Sequence, residues 1–180
     1  MEGMDGVECG SSAEVCEVCG FEWDAVPAAA IPGRVRAAVA GFVDVLAGPH
    51  GRLAARPDAT TWSAMECAAH VRDVLLNLRD RIVLGLALDD PVPHSMFADV
   101  RIECGLYARD QPGRLAMELD VAGDLLARTL EALSPDQLAR PIFYGWPRPA
   151  TRTLRWVGAQ ALHEAEHHLD DVHALLRRGA

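Results

Sequence analysis

The stretch from Leu154 to Arg177 constrains the fold most. It contains no proline and carries four of the chain's seven histidines, three of them within six residues. Unrolled at about 100° per residue, Leu154, Val157, Gly158, Ala161, Ala165, Leu169, Val172, Leu175 and Leu176 fall in one sector about 120° wide. That is the core-facing stripe of an amphipathic helix. His163 then points roughly 180° from the stripe's centre and His167 roughly 140°. His168 lies only about 40° off centre and Glu164 about 80°. Two pairs one turn apart therefore share the helix: His163 with His167 on the outer face, and Glu164 with His168 toward the interior. An inward Glu and His need compensation. A metal ion supplies it, and a Glu–His hydrogen bond at the core's edge supplies it equally.

The rest of the chain is a scaffold of comparable size. At 180 residues, half of them apolar, it predicts one domain with a substantial core. The formal charge is -9 with no basic run, which argues against nucleic acid and anionic membrane as partners. All 17 basic residues are Arg, which carries no functional message. No apolar run reaches membrane-spanning length. The opening Met1-Glu2-Gly3-Met4-Asp5 lacks the apolar core of a signal peptide. Five cysteines, an odd number, predict reduced thiols and a cytoplasmic location.

Residues 1–30 differ in composition from the remainder and form a Cys-rich segment ahead of a helical region, 31–180. Cys16-Glu17-Val18-Cys19-Gly20-Phe21 has the Cys-x-x-Cys-Gly pattern of a zinc knuckle. A structural zinc needs four ligands. Cys9 is one candidate for a third. The outer face of the last helix offers another solution: Cys16, Cys19, His163 and His167 would form a Cys2His2 set. A tail with free thiols beside solvated histidines fits the same residues.

Helices are predicted at about 34–47, 63–88 and 112–133, each with an apolar stripe. Ser63 and Glu66 are spaced as a capping box for the second. Residues 89–112 form a long connection with a short helix near 99–108, of the kind that covers a site or crosses a bundle end. Residues 134–152, rich in proline and aromatics, read as a loop. His70 lies on the flank of the second helix, about 100° from Val71. It is a candidate third ligand to Glu164 and His168, and also suits helix–helix packing.

Trp62-Ser63-Ala64-Met65-Glu66-Cys67-Ala68-Ala69-His70-Val71-Arg72-Asp73-Val74, taken with His163-Glu164-Ala165-Glu166-His167-His168-Leu169-Asp170-Asp171-Val172, resembles the DinB-like superfamily. More narrowly it is similar to the actinobacterial branch that includes mycothiol-dependent maleylpyruvate isomerase, where a Cys-x-x-Cys-Gly-Phe-like start is frequent. The resemblance implies an all-α four-helix bundle with a long crossover loop. It also implies a divalent metal held by His70 and by two side chains one turn apart on the last helix. In the family an aliphatic residue follows four positions after the second of these. Val172 stands four after His168, selecting Glu164 and His168, with His163 and His167 as the alternative register.

Three protein ligands leave zinc, nickel, iron or manganese with an open position. A low-molecular-weight thiol reaching it would lose its proton. The expectation is thus a metal-dependent, thiol-using transferase or isomerase acting on a small electrophile, with Asp171 as a candidate proton acceptor. A non-catalytic metal-binding or sensing bundle, and a helical domain that binds nothing, are the alternatives. A homodimer is compatible with the sequence.

Overall fold

The structure is a computed structural model and describes residues 14–48, 52–146 and 148–178. Four long helices, α1 (Ile31–Leu46), α2 (Ala64–Ala87), α4 (Pro112–Glu131) and α6 (Leu154–Arg178), form a bundle. Shorter elements lie between them: α3 (Ala98–Glu103), α5 (Pro135–Leu138) and a hairpin of β1 (Pro141–Tyr144) and β2 (Ala150–Thr153). Among the described residues no helix is long and apolar enough to cross a membrane.

Helix α1 packs against α4 and α6, and α2 packs against the same two. So α1 and α2 stand on one diagonal of the bundle. Near the start of α2, Arg72 reaches Asp110, just before α4, and Glu118 in its first half. Helices α2 and α4 therefore run parallel, and residues 88–111 must travel back along the bundle to join them. This is the long crossover expected from the sequence. It is strapped down by Asp73, whose carboxylate accepts from Arg72, Arg101 and the buried Tyr107 hydroxyl. The short helix is tighter than expected, because Gly105 takes a left-handed φ of 65° just after it.

The start of α2 is fixed as the sequence predicts. Ser63 Oγ accepts from the Glu66 backbone N–H, and the Ser63 backbone N–H donates to the Glu66 carboxylate. At the other end α2 crosses α6 closely. A Cβ on Gly85 would collide with Leu154, which is fully buried.

Residues 134–152 are not a plain loop. Ser134 and Gln137 cap α5, and Pro141-Ile142-Phe143-Tyr144 pairs antiparallel with Ala150-Thr151-Arg152-Thr153. Ile142 and Tyr144 alternate inward and are buried. Pro141 sits at the first strand position, where its missing N–H does no harm. The prolines conceal what is a short hydrophobic alternation.

Helix α6 is buried more widely than one stripe. Trp156, Ala159, Gln160 and Leu162 are buried along with Leu154, Val157, Ala161, Ala165 and Val172 of the stripe. The hairpin and the segment from Glu14 onward cover the face that a bare bundle would leave in water. Glu14 accepts from Arg152 and from the Trp156 indole, and Arg155 donates to the backbone carbonyls of Trp23, Asp24 and Val26.

Candidate metal centres

Two groups of ligand-type side chains meet on opposite faces of α6. In the interior group, His70 from α2 and Glu164 and His168 from α6 bring one ligand atom each within 4.8 Å of one another. His70 Nε2 lies 3.5 Å and His168 Nε2 3.4 Å from Glu164 Oε2. All three side chains are nearly buried; Glu164 is 12 % exposed. The helix faces the bundle in the register obtained by unrolling it, with Glu164 and His168 turned toward His70.

The neighbours leave these atoms free. Gln160, fully buried, donates from Nε2 to Glu164 Oε1 at 2.6 Å, so that Oε2 is the oxygen left facing His70 and His168. Gln160 is itself held by the Trp23 indole N–H, 2.7 Å from its Oε1. His168 Nδ1 lies 3.2 Å from Asp171 Oδ2, which directs Nε2 inward. Burial opposes charge on Glu164, but hydrogen bonds from His168 and His70 outweigh it and hold the carboxyl far below its usual range. Burial likewise opposes charge on His168. Its hydrogen bonds with Asp171, Cys67 and Glu164 outweigh burial and push it up to about 11. A positive charge is thus strongly favoured where the three side chains meet.

Trp62 covers the group, with ring centres 5.1 Å from His70 and 6.2 Å from His168. Beside it a cleft of about 430 Å³ opens, lined by Thr60, Thr61, Trp62, His168, Asp171 and Leu175 among others. Its loop wall is stiffened by Asp58, whose carboxylate accepts from the backbone N–H and hydroxyl groups of both Thr60 and Thr61. Asp171 therefore sits at the mouth of the site as well as behind a ligand.

In the outer group, Cys16, Cys19, His163 and His167 bring their ligand atoms within 4.8 Å of one another. The thiols are presented by a tight turn. Val15 bridges to Glu22, Gly20 N–H donates to Cys16 O, and Gly20 takes a φ of +74° that a Cβ would disfavour. His163 reads from the helix as facing away from the core, yet it is only 5 % exposed. The reason is the N-terminal segment: Trp23 and Phe21 lie over it at ring distances of 4.7 and 5.2 Å. Burial drives its imidazole down to about 4 and keeps it neutral. Burial also opposes the Cys16 thiolate, but backbone N–H groups of Cys19 and Val18 more than offset it and lower that thiol. Cys9, the other candidate for this group, lies outside the described residues.

Between the two groups runs the set of contacts that sequence reasoning missed. Gln160 carries no metal-ligand chemistry, and Trp23 is separated from it by 137 residues. No periodic signal links them.

A model of the DinB superfamily matches residues 33–172. The chain belongs to the DinB superfamily. Among solved structures it is similar to YfiT from Bacillus subtilis, described as "a probable metal-dependent hydrolase with an unusual four-helix bundle topology". The TM-score is 0.76 at 16% identity, covering 84% of this chain and 86% of that one. At that identity the likeness speaks for the fold alone. No curated protein matches the sequence. The parallel α2–α4 pair with its long return connection is a DinB-like bundle in which His70, Glu164 and His168 converge.

Proposed function

We propose that this DinB-like bundle is a metal-dependent enzyme acting on a small electrophile, with a divalent cation held by His70, Glu164 and His168. The observation that carries the reading is the convergence of two imidazole Nε2 atoms on one carboxylate oxygen, next to an open cleft. The fit is chemical as well as geometric. Two imidazoles and a carboxylate suit zinc, nickel, iron or manganese, and zinc is the first choice. A bound cation would supply Lewis acidity, acidifying a water or thiol that reaches it.

The chain's own residues do the rest. Gln160 and Asp171 fix the orientation of Glu164 and His168, so no reorganisation is needed at the moment of binding. Trp62 narrows the approach and keeps bulk water off the imidazoles. Asp171, at the cleft mouth, is placed to accept the proton that the incoming nucleophile gives up. The nucleophile we favour is a low-molecular-weight thiol such as mycothiol, which makes the reaction a transfer or isomerisation. Hydrolysis is the second reading, favoured by the description of YfiT.

Cobalt substitution tests the proposal. The visible cobalt bands should change on adding mycothiol, bacillithiol or glutathione. Bands that respond only to water-exchange probes and substrate esters would favour hydrolysis. Bands that respond to neither mean a closed, non-catalytic site.

A further inference from the structure

We infer that Cys16, Cys19, His163 and His167 hold a structural zinc ion that clamps the N-terminal turn onto α6 and, through Trp23 and Gln160, positions the Glu164 carboxylate. Zinc bonds of about 2.0–2.3 Å keep ligand atoms within about 4.6 Å of one another. The four atoms here lie within 4.8 Å, so little movement closes the site. The ligand set is complete at four, two sulfurs and two nitrogens, which is a structural and not a catalytic complement.

The imidazoles supply the independent observation. Among the described residues, both nitrogens of His163 and Nδ1 of His167 are buried with no hydrogen-bond partner. A neutral imidazole carries one N–H and one lone pair, and burying them unpaired is costly. A cation removes that penalty from one nitrogen of each ring. His167 is further prepared, because its Nε2 lies 3.6 Å from Asp171 and its buried Nδ1 is left without a partner. The knuckle turn that carries the thiols has no large core of its own, so a metal bond is what would hold it in register.

The clamp has a consequence for the interior group. Trp23 follows the knuckle directly and packs on His163. Its indole N–H holds Gln160, and Gln160 holds Glu164 Oε1. Fixing the knuckle fixes Trp23, and with it the oxygen that Glu164 leaves for the interior cation. This second part rests on the interior metal site proposed above, whereas the first part does not.

The experiment uses the full chain. Cobalt-loaded wild type should show a near-ultraviolet thiolate-to-cobalt charge-transfer band. The band should persist in the His70→Ala, His168→Ala double variant and disappear in Cys16→Ser. In a Cys9→Ser, Cys104→Ser background, alkylation of the knuckle thiols should be blocked until a strong chelator is added. A wild-type protein with no charge-transfer band and freely alkylated thiols overturns the clamp, whether or not Cys16→Ser folds. Trp23→Phe keeps the ring and removes the N–H. With zinc still at the clamp, it should weaken interior metal binding about 10–100-fold. Unchanged interior affinity overturns the positioning role and leaves the clamp standing. A wild-type protein that shows the charge-transfer band but no additional thiolate-free cobalt bands refutes the interior site alone.

Discussion

The two faces of α6 present the same spacing and different chemistry. Inside, Glu164 and His168 sit one turn apart, joined by a single residue from α2 and bordered by a cleft. Outside, His163 and His167 sit one turn apart, joined by two cysteines and roofed by Phe21 and Trp23. Three ligands and a cleft leave room for chemistry; four ligands under aromatic cover do not. In the roles proposed above, what would separate a reactive centre from a clamp is the number of partners brought from elsewhere in the chain. The i, i+4 pair on the helix is common to both.

The largest effect that could break this comparison is expected from Glu164→Ala. It removes the only carboxylate of the interior group, and metal affinity there should fall by more than about 100-fold, beyond the range of indirect changes. The charge-transfer band of the outer group should be untouched. A simultaneous loss of both signals in a cobalt titration would mean that the faces are one unit. Asp171→Asn should be milder, about 10–100-fold in interior affinity, because it disturbs a ligand's orientation and not the ligand. Since Asp171 also approaches His167, the same titration reads whether it matters to the outer group.

Gly85→Ala probes the scaffold apart from either centre. Its Cβ would press on Leu154 where α2 and α6 cross, costing about 1–3 kcal/mol by denaturant unfolding, with both cobalt signals intact once folded.

The faces should also differ in their response to pH once metal is stripped. Burial holds His163 down to about 4 from 6.5, so the unfolded chain takes up that proton first. Its contribution declines as pH falls from 6.5 toward 4. His168 is raised from 6.5 to about 11, so its contribution is full below 6.5 and is lost as pH climbs toward that value. The melting temperature of the stripped protein should therefore peak near pH 6.5. A monotonic profile would show that one face dominates.

The smallest effect is expected from Arg34→Ala. Its fork on Glu166 ties α1 to the outer side of α6, but both groups are exposed, and such pairs contribute about 0–1 kcal/mol. The measurement is the denaturation midpoint. A larger drop would mean that surface charge shares the clamp's work.

The helices were legible because an amphipathic stripe repeats, and the repeat also showed which way Glu164 and His168 face. The capping box at Ser63 was legible for a similar reason: its residues are neighbours in sequence. His70 could only be posed as a candidate from its place on the helix flank, which suits packing equally, and the resemblance was needed to single it out. The meeting of the Cys-x-x-Cys turn with His163 and His167 could be posed from ligand counting. What could not be read is the burial of His163, because a helical wheel knows nothing of a segment 140 residues upstream folding over it. The Trp23–Gln160–Glu164 chain and the strand pairing around Pro141 were hidden for the same reason. They depend on tertiary neighbours or on composition that mimics a loop.

The hairpin decides the direction of traffic. Arg140 donates to the carbonyls of Gly85 and Leu88, and Phe143 N–H donates to Pro91 O, so the last turn of α2 and the start of the crossover are stitched to the hairpin. That seals the far end of the bundle from the first turns of α6. The cleft beside His168 opens instead between Trp62 and Leu175, at the end of the bundle that the hairpin leaves uncovered.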